Sequence, residues 1–163
     1  SAGNHGLIFG MEFPFFHCLP IVSRGRVELG STPGREEKDI LIVDDDRLTL
    51  SLLKKAISRM PSGGLLRVDT AKDGKSALEF IERAEYRVVL TDINLGDING
   101  FELCKSILER CRAIGGGIPS VVGLTATYQA DFEVRRIAAG MVALVKGKGT
   151  DITEILDLEF KAV

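Results

Sequence analysis

Residues 40–46 read ILIVDDD, an apolar run of strand length that ends in three consecutive carboxylates. Three further apolar runs also end in polar residues: 88–92 (VVLTD), 121–125 (VVGLT) and 142–146 (VALVK). Helix-like segments separate the runs, and strands that alternate with helices build a parallel sheet with functional groups at its carboxyl edge. The sequence therefore predicts one shared site made of the residues that follow these strands, Asp44, Asp45, Asp92, Thr125 and Lys146.

Length and composition limit the classes of protein that the chain can belong to. Its 163 residues allow one compact α/β domain plus an extension. A net charge of −2 gives no basic surface, so we expect no direct binding of nucleic acid. Residues 7–22 are apolar but interrupted by Glu12 and Pro14 and too short to span a bilayer, so we expect no membrane contact.

The three cysteines favour a reducing compartment. Cys104 and Cys111 lie two helical turns apart on a predicted helix, roughly 10 Å along its axis. This separation is too large for an undistorted disulfide. We therefore predict free thiols and a cytoplasmic location.

The chain divides into two regions of different composition. Residues 1–38 are rich in glycine, proline and aromatic residues and end in the polar, turn-forming run 30–38, which is typical of a linker. Residues 39–163 carry five repeated strand–helix units, which predict a doubly wound, five-stranded parallel sheet. The predicted strands are 40–43, 65–70, 87–91, 121–124 and 142–145. The predicted helices are 47–60, 74–84, 101–111, 130–139 and 151–161.

Apolar residues recur at helical spacing in the predicted helices, and those of the second and last helices are expected to pack against the sheet. In the first helix these are Leu48, Leu52, Leu53, Ala56, Ile57 and Met60. In the second helix they are Ala77, Leu78 and Ile81. In the last helix they are Ile152, Ile155, Leu156 and Phe160.

The carboxylates predict a binding site for a divalent cation. Asp46 suits a helix N-cap, but this does not explain Asp44 and Asp45, whose mutual repulsion falls if a cation lies between them. Asp92 alone would be a turn former, yet beside a bound cation it can act as a nucleophile towards phosphorus. Mg²⁺ fits a set in which Asp45, Asp92 and the Asn94 carbonyl bind it directly and Asp44 binds it through water.

The positions of Thr125 and Lys146 indicate a role for their side chains in binding. Alone, a threonine is at home in a strand and a lysine is a common residue at a sheet edge. At the same edge as the carboxylates, a hydroxyl and an ammonium group can hold the oxygens of a phosphoryl group. The five residues together predict a phospho-accepting switch.

The chain resembles the receiver domain of two-component response regulators, which has a flavodoxin-like fold. The resemblance covers residues 39–161 and rests on Val43-Asp44-Asp45, Thr91-Asp92, the run 92–100, Leu124-Thr125-Ala126 and Val145-Lys146. It implies that Asp92 accepts phosphate from a phosphohistidine on a kinase or a histidine phosphotransfer protein. It also implies that Asp44 and Asp45 hold Mg²⁺ and that Thr125 and Lys146 grip the phosphoryl group. Such a domain catalyses its own phosphorylation and dephosphorylation.

The sequence departs from the family pattern at several positions. Gly96 stands where proline is usual, which is expected to loosen the loop after the acceptor. The stretch 140–146 is one residue short and Gly147 replaces a proline, so Lys148 competes with Lys146 for the phosphate-binding role. Ala143 lies where an aromatic switch residue is expected, so the output mechanism is expected to differ.

The leading residues 10–20 (GMEFPFFHCLP) weakly resemble the closing strand of a histidine-kinase ATPase domain. On this interpretation the chain is the C-terminal part of a hybrid kinase and residues 25–38 are a linker. The alternative is an apolar extension that packs on this domain or on a partner. The sequence leaves both open and indicates neither a cognate kinase nor an oligomeric state.

Two other functions fit parts of the pattern. A magnesium-dependent phosphohydrolase of the haloacid-dehalogenase type would use Asp44 as nucleophile and Asp46 as the second aspartate, although the chain lacks room for a substrate cap. A pseudo-receiver would act as a binding module without phosphorylation, but the complete acidic set argues against it.

Overall fold

The protein is described here from a computed structural model, which describes residues 8–9, 34–61, 63–147 and 152–161. In chain order its strands are β1 (Ile8–Phe9), β2 (Glu36–Val43), β3 (Val68–Ala71), β4 (Ala84–Asp92), β5 (Ser120–Thr125) and β6 (Ala143–Lys146). The helices are α1 (Arg47–Ser58), α2 (Gly74–Arg83), α3 (Gly100–Ile114), α4 (Phe132–Ala139) and α5 (Ile152–Lys161), and a short 3₁₀ turn covers Gly63–Leu65.

The strands form one sheet in the order β1-β6-β5-β4-β2-β3. All neighbours from β6 to β3 are parallel, which confirms the predicted doubly wound, five-stranded parallel sheet. The chain leaves the adjacent strands β2 and β4 in opposite directions, which opens a crevice at their carboxyl ends. This crevice lies where the predicted acidic residues emerge.

Alternating side chains of the strands build a core on each face of the sheet. Leu41 and Val43 of β2 lie in one apolar cluster with residues of α2, α3 and α4. Ile40 and Ile42 of the same strand lie in the other cluster with residues of α1 and α5. The central strands are therefore covered on both sides, which holds their polar ends in fixed positions.

The sheet covers only part of the apolar surface of α1. Leu48 and Leu52 belong to the apolar pattern at helical spacing but are 66% and 55% exposed, whereas Leu53 and Ile57 are buried. Successive residues are about 100° apart around a helix, so Leu52 lies on a different side from Leu53. The apolar surface of α1 is wider than the face that the sheet covers. The predicted burial of Ile152, Ile155 and Leu156 is confirmed, and the side chain of Phe160 lies outside the described residues.

Several element boundaries also differ from the predictions. β2 begins at Glu36, inside the predicted linker, because its polar start pairs with β4, with Glu36 opposite Ala84. Lys38 also forms ion pairs with Glu36 (3.0 Å) and Asp69 (3.3 Å). Leu65 was expected in a strand but lies exposed in the 3₁₀ turn, and β3 begins at Val68. β4 begins at Ala84, directly after α2, although a strand was predicted only from residue 87. Turn-forming and charged residues lie near these strand starts, so the apolar pattern alone did not show where the strands begin.

Part of the predicted extension belongs to the sheet. β1 pairs antiparallel with β6, with Ile8 opposite Val145 and Phe9 opposite Leu144. The kinase-like motif at residues 10–20 lies outside the described residues. The predicted division into residues 1–38 and 39–163 stays a prediction.

Cys104 and Cys111 are free thiols on α3, as predicted, and the structure shows that both are buried. Burial raises the pKa of the Cys104 thiol to about 12 and that of Cys111 to about 11. Both thiols are therefore protonated at neutral pH and pack as small apolar groups.

Within the described ranges, each helix is too short or too polar to cross a bilayer.

Candidate functional site

Three carboxylates meet at the carboxyl ends of β2 and β4. Asp44, Asp45 and Asp92 each offer an oxygen, and these atoms lie within 4.8 Å of one another. Asp44 and Asp92 are buried, while Asp45 is exposed to solvent. Like charges this close favour a bound cation, and carboxylate oxygens are the ligands that Mg²⁺ takes in proteins. The residues present therefore fit a magnesium site that is open on the side of Asp45.

Asp46 has a different task from its two neighbours. Its carboxylate accepts the backbone N–H of Leu48 at 3.1 Å and the hydroxyl of Thr49 at 2.7 Å. Asp46 is the N-cap of α1, which confirms the role predicted for it. The cap fixes the direction in which α1 leaves the site.

The loop after Asp92 folds back on itself. Asn94 donates its N–H to Oδ1 of Asp92 at 3.3 Å, and Asn94 and Asn99 form a backbone bridge. Gly100 donates its N–H to the carbonyl of Ile93 at 2.7 Å. Asn94 is exposed beside the acidic cluster, and its predicted role as a carbonyl ligand stays a prediction.

Asp97 in the same loop has a role that the sequence did not predict. Its two carboxylate oxygens accept the N–H groups of Gly74 and Lys75, at the start of α2. The contact joins residues 23 positions apart. Residue type alone gave no signal for it, because an aspartate in a polar loop is ordinary.

Thr125 is fully buried at the end of β5, next to β4 in the sheet. Its hydroxyl donates to the carbonyl of Thr127, and the N–H of Thr127 donates back to the same hydroxyl oxygen at 3.3 Å. In this state the hydroxyl is bonded to its own loop. Contact with a phosphoryl oxygen would require it to exchange this acceptor for another.

Lys146 ends β6 directly opposite Thr125 and is exposed. Gly147 donates its N–H to the Thr125 carbonyl at 2.7 Å, which ties the end of β6 to β5. The competing residue Lys148 lies outside the described residues. The sheet therefore brings Lys146 to the same edge as Asp92 and Thr125.

Ala143, at the expected switch position, is buried in β6 and pairs with Val122. An aromatic cluster lies instead beside the β5–α4 loop. Phe132 makes edge-on ring contacts with Tyr128, at 5.9 Å between centroids, and with Phe101, at 5.3 Å. These rings connect the loop after Thr125 to the start of α3, which follows the loop at residues 93–99.

The arrangement of the sheet and its acidic edge defines a class of protein. Residues 40–158 match the family described as the response regulator receiver domain. The chain belongs to this family, as the resemblance in its sequence indicated.

Known relatives support the assignment. The chain is 32% identical over 106 residues to the sensor protein EvgS of Escherichia coli K12, covering 65% of this chain and 8% of that protein. It is 34% identical over 115 residues to the virulence sensor protein BvgS of Bordetella bronchiseptica, covering 68% of this chain and 9% of that protein. The chain thus spans less than a tenth of the length of these relatives.

A solved structure shows the same fold. The chain is similar to the BeF₃-activated receiver domain of DrrB, with a TM-score of 0.59 and 26% identity. The likeness covers 77% of this chain and 95% of that one. It extends over the five-stranded parallel sheet and its flanking helices.

Proposed function

We propose that this receiver domain accepts a phosphoryl group on Asp92 in a magnesium-dependent reaction. The observation that carries the proposal is the convergence of the Asp44, Asp45 and Asp92 oxygens within 4.8 Å at the carboxyl edge of the sheet. Thr125 and Lys146 end the next two strands at that edge. Acceptor, cation ligands and phosphate-binding groups thus come from four strand ends, which position side chains more tightly than loops do.

The donor in this proposal is a phosphohistidine on a kinase or histidine phosphotransfer protein. A carboxylate oxygen of Asp92 attacks phosphorus, an O–P bond forms and the P–N bond breaks. The imidazole nitrogen keeps the electron pair and takes up a proton. When bound, Mg²⁺ neutralises charge that develops on the transferred group. Asp44 and Asp45 would hold the ion, while Thr125 and Lys146 donate to the phosphoryl oxygens.

The surface next to the site suits such a partner. Leu48 and Leu52 lie one turn apart on α1 and are more than half exposed. They follow Asp46 by two and six residues, so the patch begins beside the acidic cluster. An apolar face of a donor helix can cover these leucines while its phosphohistidine reaches Asp92. The names of the relatives EvgS and BvgS as sensor proteins fit a receiver within a hybrid kinase.

The two alternative functions have less support. A haloacid-dehalogenase-like hydrolase would need Asp46 in catalysis, but both of its carboxylate oxygens hold the start of α1. A pseudo-receiver would lack at least one of the three clustered carboxylates, and Asp44, Asp45 and Asp92 are all present here. The cytoplasmic location stays part of the proposal.

Phosphorylation with small donors tests the proposal. Incubation with Mg²⁺ and acetyl phosphate is expected to raise the intact mass by one phosphoryl group, and phosphoramidate tests transfer from a P–N bond. Asp92→Asn should abolish labelling, while Asp131→Asn, at an exposed carboxylate on the N-cap of α4, should label like the parent protein. Labelling of Asp92→Asn to the level of the parent would refute the proposal. Steady turnover of para-nitrophenyl phosphate would favour the hydrolase.

A further inference from the structure

The start of α2 is held by two carboxylates from different parts of the chain. Asp97 accepts the N–H of Gly74 at 3.0 Å and that of Lys75 at 3.1 Å. Asp73, the N-cap, accepts the N–H of Ser76 at 2.8 Å within a capping box. These three N–H groups have no acceptor within the helix. The positive end of the helix dipole stabilises both carboxylates.

The two carboxylates differ in what they connect. Among the residues that the structure describes, Asp73 bonds only within its own turn, and its hydrogen bonds with Ser76 lower the pKa of Asp73. Asp97 instead lies five residues after Asp92, in the loop that carries the acceptor. Its two bonds therefore connect that loop to a helix elsewhere in the chain.

Close packing accompanies this contact. Gly74 is buried, and a Cβ placed on it would overlap Cγ2 of Ile98, the residue after Asp97. At the far end of the loop, a Cβ on Gly100 would lie 2.5 Å from the carbonyl oxygen of Asp92. Glycine at both positions lets the backbone approach closely, so the loop has little room to shift while both contacts hold.

We propose that Asp97 is a positioning residue for phosphoryl transfer, which fixes the acceptor loop against the start of α2 and so sets the place of Asp92. The inference rests on the proposed function. It also predicts a route for the signal, because a loop that moves on phosphorylation must carry the start of α2 with it or release the Asp97 bonds. Gly96 does not interrupt this connection, since Asp97 anchors the loop directly after it.

Asp97→Ala tests the proposal, with Asp73→Ala as its matched control. Both variants remove a carboxylate from the same helix terminus, so both should lower the thermal midpoint. Only Asp97→Ala frees the acceptor loop. The rate constant for labelling of Asp92 by acetyl phosphate is expected to fall roughly tenfold in Asp97→Ala, since small misplacements of reacting groups slow transfer strongly. It should stay within about twofold of the parent in Asp73→Ala, and Asp97→Asn, which keeps one acceptor oxygen, should be intermediate.

Amide hydrogen exchange supplies a readout that does not depend on labelling. Exchange at Asn94 and Gly100 should speed up in Asp97→Ala and stay at the parent rate in Asp73→Ala. Equal labelling rates for the two alanine variants, or unchanged loop exchange in Asp97→Ala, would overturn the inference. If the parent protein itself is not labelled, the proposed function fails, and the exchange experiment alone then decides whether Asp97 positions the loop.

Discussion

The backbone N–H of Asp46 donates a hydrogen bond to Oδ1 of Asp44 across 2.8 Å. This bond joins a residue that caps α1 to a buried member of the acidic cluster. The start of the helix therefore orients Asp44, while Asp45 between them remains exposed. Three identical side chains in a row thus have three different environments.

This difference predicts that substitutions at two neighbouring positions affect different properties, metal binding in one case and stability in the other. Asp45→Ala should lower Mg²⁺ affinity by at least about 10-fold, because it removes a carboxylate of the cluster. Asp46→Ala should leave that affinity nearly unchanged but lower the free energy of unfolding by about 1 kcal/mol, because it removes a helix cap. Magnesium titration followed by NMR, with urea unfolding of each variant, measures both quantities. A magnesium titration unaffected by Asp45→Ala would place the metal site elsewhere.

The lysine that faces the phosphoryl group is predicted to be Lys146. It continues β6 and lies opposite Thr125, so the strand delivers it to the site edge. Lys146→Ala should slow phosphorylation and weaken the response to it, whereas Lys148→Ala should have little effect. Labelling kinetics of the two variants with acetyl phosphate make the comparison. Loss of labelling in Lys148→Ala alone would reverse the assignment.

The change on activation should centre on the acceptor loop. Ala143 has no side-chain rotamer that can respond to movement of Thr125, so β6 has fewer contacts that distinguish the two states. Amide shifts on adding Mg²⁺ and beryllofluoride should be larger at residues 94–99 than at 142–145. The loop at residues 126–130 should also shift, since Thr125 must release the Thr127 carbonyl to reach a phosphoryl oxygen. Large shifts confined to residues 142–145 would contradict this prediction.

Two adjacent leucines of α1 should differ in their contribution to stability. Leu53 is fully buried, so Leu53→Ala should lower the free energy of unfolding by about 2–5 kcal/mol. Leu52 is 55% exposed, and Leu52→Ala should change it by no more than about 0.5 kcal/mol. Urea unfolding monitored by circular dichroism gives both values. Similar losses in the two variants would mean that α1 packs with a different face.

Much of the site was predictable because its residues directly follow strands. In a parallel sheet, a polar residue at the end of an apolar run lies at the carboxyl edge, and this property located Asp44, Asp45, Asp92 and Thr125. The cap at Asp46 was equally local, because a helix start needs an acceptor within its first turn. The family resemblance added the roles expected of these residues.

Other features depended on contacts between distant parts of the chain. The width of the covered face decided that Leu52 is exposed while Leu53 is buried, and a helical pattern alone does not contain that width. The polar residues at the start of β2 form a strand because β4 pairs with them. Lys38 also forms an ion pair with Asp69 on β3.

The sequence by itself determined the order of the five parallel strands and their helices, the polar residues at the strand ends and the cap of α1, because each depends on neighbours along the chain. Only the tertiary structure decided that three carboxylates lie within 4.8 Å and that Asp97 meets Gly74. Both follow from how the strands align and how closely the loop packs against α2. Local patterns fix where a polar group leaves the sheet, but its distance from another group depends on packing between elements that are far apart in sequence.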